Sequence, residues 1–180
     1  LMYSYLGSLM SKAIEDISAY VSASISDEIA VHKLRDKLYE RVGLGTEYRL
    51  SDAHITILPS FEIPRDYTHA LDKKLAELDL EGRTVEIHGV GIWPNVQNPR
   101  VVLLDCTIDL SDEREELLDV LREIGVRDLP EPVKPHITLF KCDNGYILED
   151  ERREKILEEV AMNRESWETT IQYVDLVRVD

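Results

Sequence analysis

A chain of 180 residues, 43% hydrophobic and 32% charged, is long enough for one packed domain and carries no apolar run that could span a bilayer. Its 36 acidic against 21 basic residues leave a net charge of −15, which excludes a broad duplex-binding surface, where many Lys and Arg must meet phosphates. Two readings fit that charge: a solvated surface of the halophilic kind, toward which 13 Arg against 8 Lys leans, or an acidic protein holding a small anionic substrate at a local basic site. Cys106 and Cys142, in apolar surroundings and far apart, read as buried thiols in a reducing compartment. The opening residues Leu1 to Tyr5 carry no basic leader, so a cytoplasmic location is expected, and with it a monomer that binds no membrane.

In chain order, Met2 to Leu6 reads as a strand and Leu9 to Tyr20 as a short helix. A helix from about Asp27 to Arg41 follows, with Val31, Leu34 and Leu38 on one face. The run His54-Ile55-Thr56-Ile57 alternates as a strand. Pro64 to Leu78 is helical, through Tyr67, Leu71, Leu75 and Leu78, and Arg83 to Trp93 alternates again. Arg100 to Leu110 reads as a strand leading into a helix from Asp112 to Ile124, for which Ser111 is the expected N-cap. The run His136-Ile137-Thr138-Leu139 is a second alternating strand. Ile147 to Met162 then reads as helix and Ser166 to Val179 as strand.

That order repeats. Each half reads strand, helix, His-x-Thr strand, helix, strand, and the two motifs lie 82 residues apart. Val85 lies 31 residues beyond His54, and Trp167 lies 31 beyond His136. The expectation is one domain over residues 1–180: an α+β fold of mainly antiparallel sheet with helices on its outer faces. It would be bilobal, with pseudo-twofold lobes of approximately residues 1–95 and 96–180.

The chemistry lies in the motifs. On a strand, His54 and Thr56 share one face and Ile55 and Ile57 the other; His136, Thr138, Ile137 and Leu139 do the same. One such copy is ordinarily a buried His beside a β-forming Thr, but two matching copies in a chain with 5 His weigh against that. Facing each other, the strands would supply two imidazoles, one to take a proton and one to give it, and two hydroxyls for nonbridging phosphate oxygens. A zinc site asks for three or four ligands, and one imidazole per strand does not supply them, so no metal and no cofactor is expected.

These residues resemble the 2H phosphoesterases, which include the LigT-like RNA 2′,3′-cyclic phosphodiesterases, also named 2′-5′ RNA ligases. That family is defined by two His-hydrophobic-Thr/Ser-hydrophobic motifs, one per lobe, and His54 to Ile57 and His136 to Leu139 match at every position. Leu58-Pro59-Ser60-Phe61 and Pro135 are similar to common family flanks. The resemblance implies motifs facing a water-filled cleft and metal-independent opening of a 2′,3′-cyclic phosphate, or transfer at a 2′-5′ bond. His54 and His136 would be base and acid, in an order the sequence leaves open. Partners would be RNA ends carrying a 2′,3′-cyclic phosphate or a small cyclic nucleotide or oligonucleotide.

Around the motifs, Lys141 could neutralise phosphate, although strict alternation puts it on the face opposite His136, so a bend is required. Phe61, Trp93 and Tyr146 could stack on a base, and Arg100 could meet phosphate. His32 and His69, in helices without partners, and His88, in a strand with no Thr or Ser two residues on, read as structural or surface residues. Two alternatives accompany the enzymatic reading: a phosphodiesterase for 2′-5′ or cyclic oligonucleotide messengers, and a non-catalytic nucleotide-binding module.

Overall fold

The structure is a computed structural model describing residues 15–143 and 145–179. Seven strands and four helices follow one another as β1 (Asp16–Ile25), α1 (Glu28–Val42), β2 (Tyr48–Leu50), β3 (His54–Pro64), α2 (Thr68–Glu77), β4 (Thr84–Trp93), β5 (Val101–Thr107), α3 (Ser111–Ile124), β6 (His136–Cys142), α4 (Asp150–Met162) and β7 (Trp167–Val179). A short 3₁₀ turn, Arg65–Tyr67, joins β3 to α2.

The expected helix from Leu9 to Tyr20 is a strand where it can be described. Ile17, Ala19, Val21 and Ala23 alternate inward along β1 while Ser18, Tyr20 and Ser22 stay partly exposed. Period two wins over the helical reading because every second residue must face the core. The expected strand Met2 to Leu6 lies outside the described residues. Ser111 is a second correction: it begins α3 itself, and its backbone N–H is accepted by the Asp109 carboxylate at 3.0 Å, so the cap comes from two residues upstream.

Pairing throughout is antiparallel, and apart from β2, which pairs with β6, it obeys a pseudo-twofold. β1 lies between β3 and β7, and β5 lies between β6 and β4; β3 meets β6, and β4 meets β7. Exchanging β1 with β5, β3 with β6 and β4 with β7 leaves each of these pairings unchanged. The helices obey the same exchange: α2 packs on α3, and α1 on α4. The seven strands form one sheet that interleaves the two halves of the sequence, because β7 pairs with β1 and β4 with β5.

The repeat extends to helix ends. Gly43 closes α1 with φ 70° and Gly125 closes α3 with φ 96°, and they too lie 82 residues apart. Each backbone N–H returns to carbonyls of the last helical turn, in a left-handed conformation that favours glycine. Both helices thus stop at the same distance ahead of a motif strand. Inside, Ile55, Ile57, Leu58, Ile137, Leu139 and Phe140 are fully buried, and Tyr39 and Tyr48 both meet the Phe140 ring edge-on at 5.7 Å. Cys106 and Cys142 are free and buried, and burial pushes the Cys106 thiol up to about 12.

Candidate active site

β3 and β6 touch at a single ladder position, Ile55 opposite Ile137. In an antiparallel pair that register sets His54 across from Thr138 and Thr56 across from His136, all four on one face. Both isoleucines point into the core, while all four polar side chains are half-buried. The aliphatic residues of each motif anchor the strand, and the polar ones share the opposite face, half-exposed.

Each imidazole lies beside backbone two residues upstream of it. His136 donates from Nδ1 to the Lys134 backbone carbonyl at 2.8 Å, which leaves Nε2 for a ligand. The backbone of Asp52, again two residues upstream, acts on His54 and favours its charged form. Tyr20 on β1 tilts toward His54, with ring centroids 6.1 Å apart. Burial lowers the His54 pKa below the ordinary imidazole value; the Asp52 backbone and carboxylate pull upward, and His136 and Lys141 push it further down. That His136 and Lys141 act on His54 places the three side chains in one electrostatic neighbourhood.

Lys141 reaches this face through a bulge. Val102 pairs with Phe140 and the adjacent Leu103 with Thr138, so Leu139 is an extra residue in β6. Alternation resets there: Leu139 and Phe140 are both buried, and Lys141 turns to the side of His136. β3 has the same bulge at Ile57, between Val21–Leu58 and Ser22–Thr56. The residue in the place of Lys141 is then Pro59, so the twofold supplies geometry to both lobes and a cation to one.

His136, Thr138 and Lys141 line a cleft of about 660 Å³ together with Trp93, Val101, Leu103, Asp105 and Lys134. Trp93, one of the aromatics expected to stack on a base, ends β4 and lies 59% exposed at this wall. Phe61 is a correction: the register of β3 slips again between Val21 and Ala19, which turns Phe61 into the core at 4% exposure and leaves no face for a base. Tyr146 is exposed but lies in the loop after β6, outside the cleft lining. Arg100 also faces away; its guanidinium lies near Gly145, and its charge acts on Tyr48 and Cys142. His32 accepts from the Ala53 backbone N–H, and His88 bonds Thr107 across strands at 2.6 Å.

Asp105 was passed over in the sequence, although a carboxylate inside the run Val101-Val102-Leu103-Leu104-Asp105-Cys106 is a signal. It pairs with His136 across β5 and β6 and shares the cleft with it. Among the described residues, no group of three or more His, Cys, Asp or Glu is arranged to hold a metal ion. Nor is any described helix long and apolar enough to cross a membrane.

A bilobal antiparallel α+β fold with a His-x-Thr motif on each of two facing strands defines the 2H phosphoesterase class. The family model of the 2′-5′ RNA ligase superfamily matches residues 21–180, and the chain belongs to that superfamily. No curated protein matches this sequence. Among solved structures, the chain is similar to the MHV ns2 PDE domain, at 17% identity over 91% of this chain and 99% of that one, with a TM-score of 0.56. It is similar to E. coli LigT complexed with 3′-AMP, at 14% identity over 92% and 97% and a TM-score of 0.56. The TT0787 protein of Thermus thermophilus is similar at 14% identity over 91% and 96%, with a TM-score of 0.55. At these identities the likeness is one of fold.

Proposed function

We propose that the protein is a metal-independent phosphodiesterase that opens 2′,3′-cyclic phosphates at RNA ends or on small nucleotides. The observation that carries this reading is the Ile55–Ile137 crossing, which gathers His54, Thr56, His136 and Thr138 on one face with Lys141 beside them. His54, kept neutral by burial and its cationic neighbour, takes the proton of the attacking water. As the new P–O bond forms and the bond to one ribose oxygen breaks, His136 gives its proton to that departing oxygen. Thr56 and Thr138 donate to the nonbridging oxygens, on which charge builds, and Lys141 offsets that charge.

The net charge of −15 favours a short substrate over a structured RNA, since the two lysines of the cleft, Lys134 and Lys141, serve a single phosphate better than a long backbone. The test is turnover of a 2′,3′-cyclic nucleotide in EDTA by wild type, His54→Ala and His136→Ala, beside a 2′-5′-linked dinucleotide. Ring opening by wild type, with both variants still binding the nucleotide but inactive, is the expected result. Turnover of the 2′-5′ dinucleotide alone would move the assignment to oligonucleotide messengers. Binding without turnover of either would make the protein a binding module.

A further inference from the structure

The twofold that makes the two motifs alike makes the walls beside them comparable position by position. On one wall, β6, β5 and β4 present Thr138, Leu103 and Gly91 in register, with Asp105 beside His136 and Trp93 beside Val101. On the other, the same places hold Thr56, Ser22 and Asp175, with Ser24 beside His54 and Val177 beside Tyr20. A side chain stands at Asp175 where its counterpart Gly91 has none, and Val177 replaces the exposed indole of Trp93.

The gap at Gly91 is occupied by a neighbour. A Cβ built there would lie 2.8 Å from Oδ2 of Asp105, so the carboxylate leans away from His136, across β5 and over the glycine toward β4. Its other oxygen, Oδ1, has Lys134 Nζ at 3.8 Å, and that lysine is 78% exposed, too solvated to consume the carboxylate's hydrogen-bonding capacity. An acceptor-only group in a cleft that takes an anion weakens phosphate binding unless the ligand brings a donor to it. With strands about 4.8 Å apart, β6 to β4 spans roughly 10 Å, about the distance from a ribose phosphate to the far edge of its base. A nucleotide with its phosphate at His136, Thr138 and Lys141 would lay its base over Leu103, against Trp93, with one edge at the Asp105 carboxylate that covers Gly91.

We propose that Asp105, seated over Gly91, reads the nucleobase, selecting bases that present an amino group and disfavouring those that present a carbonyl at the same place. This rests on the phosphodiester reading for the placement of the phosphate. Cytosine and uracil form the sharpest pair, because they share size and differ at C4, amino donor against carbonyl acceptor. The Gly91 shelf and the Asp105 carboxylate together set this selectivity; the opposite wall has Asp175 and Ser24 in those places.

The experiment compares cytidine with uridine 2′,3′-cyclic phosphate in turnover, and 3′-CMP with 3′-UMP in calorimetric binding, for wild type, Asp105→Asn and Gly91→Ala. Wild type should favour cytidine about tenfold or more in both readouts, the discrimination expected of a hydrogen bond to a charged acceptor. Asp105→Asn offers donor and acceptor alike and should bring the ratio near one. Gly91→Ala, which displaces the carboxylate and leaves its charge, should reduce the ratio as well. Equal treatment of cytidine and uridine by wild type overturns the proposal, as does an equal loss for both in Asp105→Asn, which would put Asp105 on the sugar or on His136. Binding of neither nucleotide overturns it too. A cytidine preference in binding without turnover of either substrate would sink the enzymatic reading and leave the base shelf standing.

Discussion

The two lobes are one design executed twice, with different side chains around the same centre. Their motif strands, bulges and helix-closing glycines correspond position for position, yet one wall carries Lys141, Trp93 and Asp105 where the other has Pro59, Val177 and Ser24. Backbone symmetry delivers what a symmetric task needs: one group to accept a proton and one to release it, on either side of a phosphorus. The surrounding asymmetry delivers what an asymmetric substrate needs, since a nucleotide has a phosphate at one end and a base at the other.

Breaking the symmetric part should cost most. His54→Ala and His136→Ala are each expected to lower kcat by about 10³-fold or more with little change in nucleotide binding, measured by steady-state kinetics beside calorimetry. Next come the hydroxyls. Thr56→Val and Thr138→Val each remove one donor to the developing charge and should lower kcat by about 100-fold; a loss confined to one threonine would show that the lobes divide the phosphate unequally.

The asymmetric part predicts smaller changes. Lys141→Ala should raise KM about tenfold and shift the pH profile, in a direction set by His54. Burial holds the folded pKa of His54 below the ordinary value of 6.5, so His54 stays neutral, and able to act as base, below that pH. Lys141 is one of the charges that disfavours the imidazolium, so its removal lets the pKa climb and moves the acid limb of kcat/KM upward. The linked stability has the same sign. As pH falls through 6.5 the unfolded chain binds a proton that folded His54 refuses, and the fold loses stability until the folded pKa is passed.

Two aromatics proposed for one task from sequence should separate by readout. Phe61→Ala empties a core position and should cost about 3–5 kcal/mol of unfolding free energy in denaturant titration. Trp93→Ala, at 59% exposure, should stay within about 0.5 kcal/mol in the same titration and raise KM instead.

What the sequence made legible was whatever a period or an offset can encode. The 82-residue spacing carried the motifs, the order of elements and, unnoticed, the glycines at positions 43 and 125. It could not carry register. The bulges at Ile57 and Leu139 add one residue to a strand, and that residue decides that Lys141 enters the cleft while the further slip in β3 decides that Phe61 leaves it. In hindsight, the adjacent apolar pair Leu139-Phe140 marks the bulge, because strict alternation would have exposed one of them. β1 is hard to see as a strand because small Ala and Ser residues separate Ile17, Tyr20 and Val21 and leave period two faint. Asp105 escaped because a lone carboxylate in an apolar strand has meaning only once Gly91 is seen beside it.

The central claim is that the two imidazoles work as one unit across the Ile55–Ile137 crossing. Its most direct test is the single-turnover rate of cyclic phosphate opening in His54→Ala, His136→Ala and the double variant. Groups that act in the same transition state lose their effect together, so the double variant should be little slower than either single one. Losses that multiply, or a single variant that keeps most of the wild-type rate, would mean that the histidines act independently and would contradict the account.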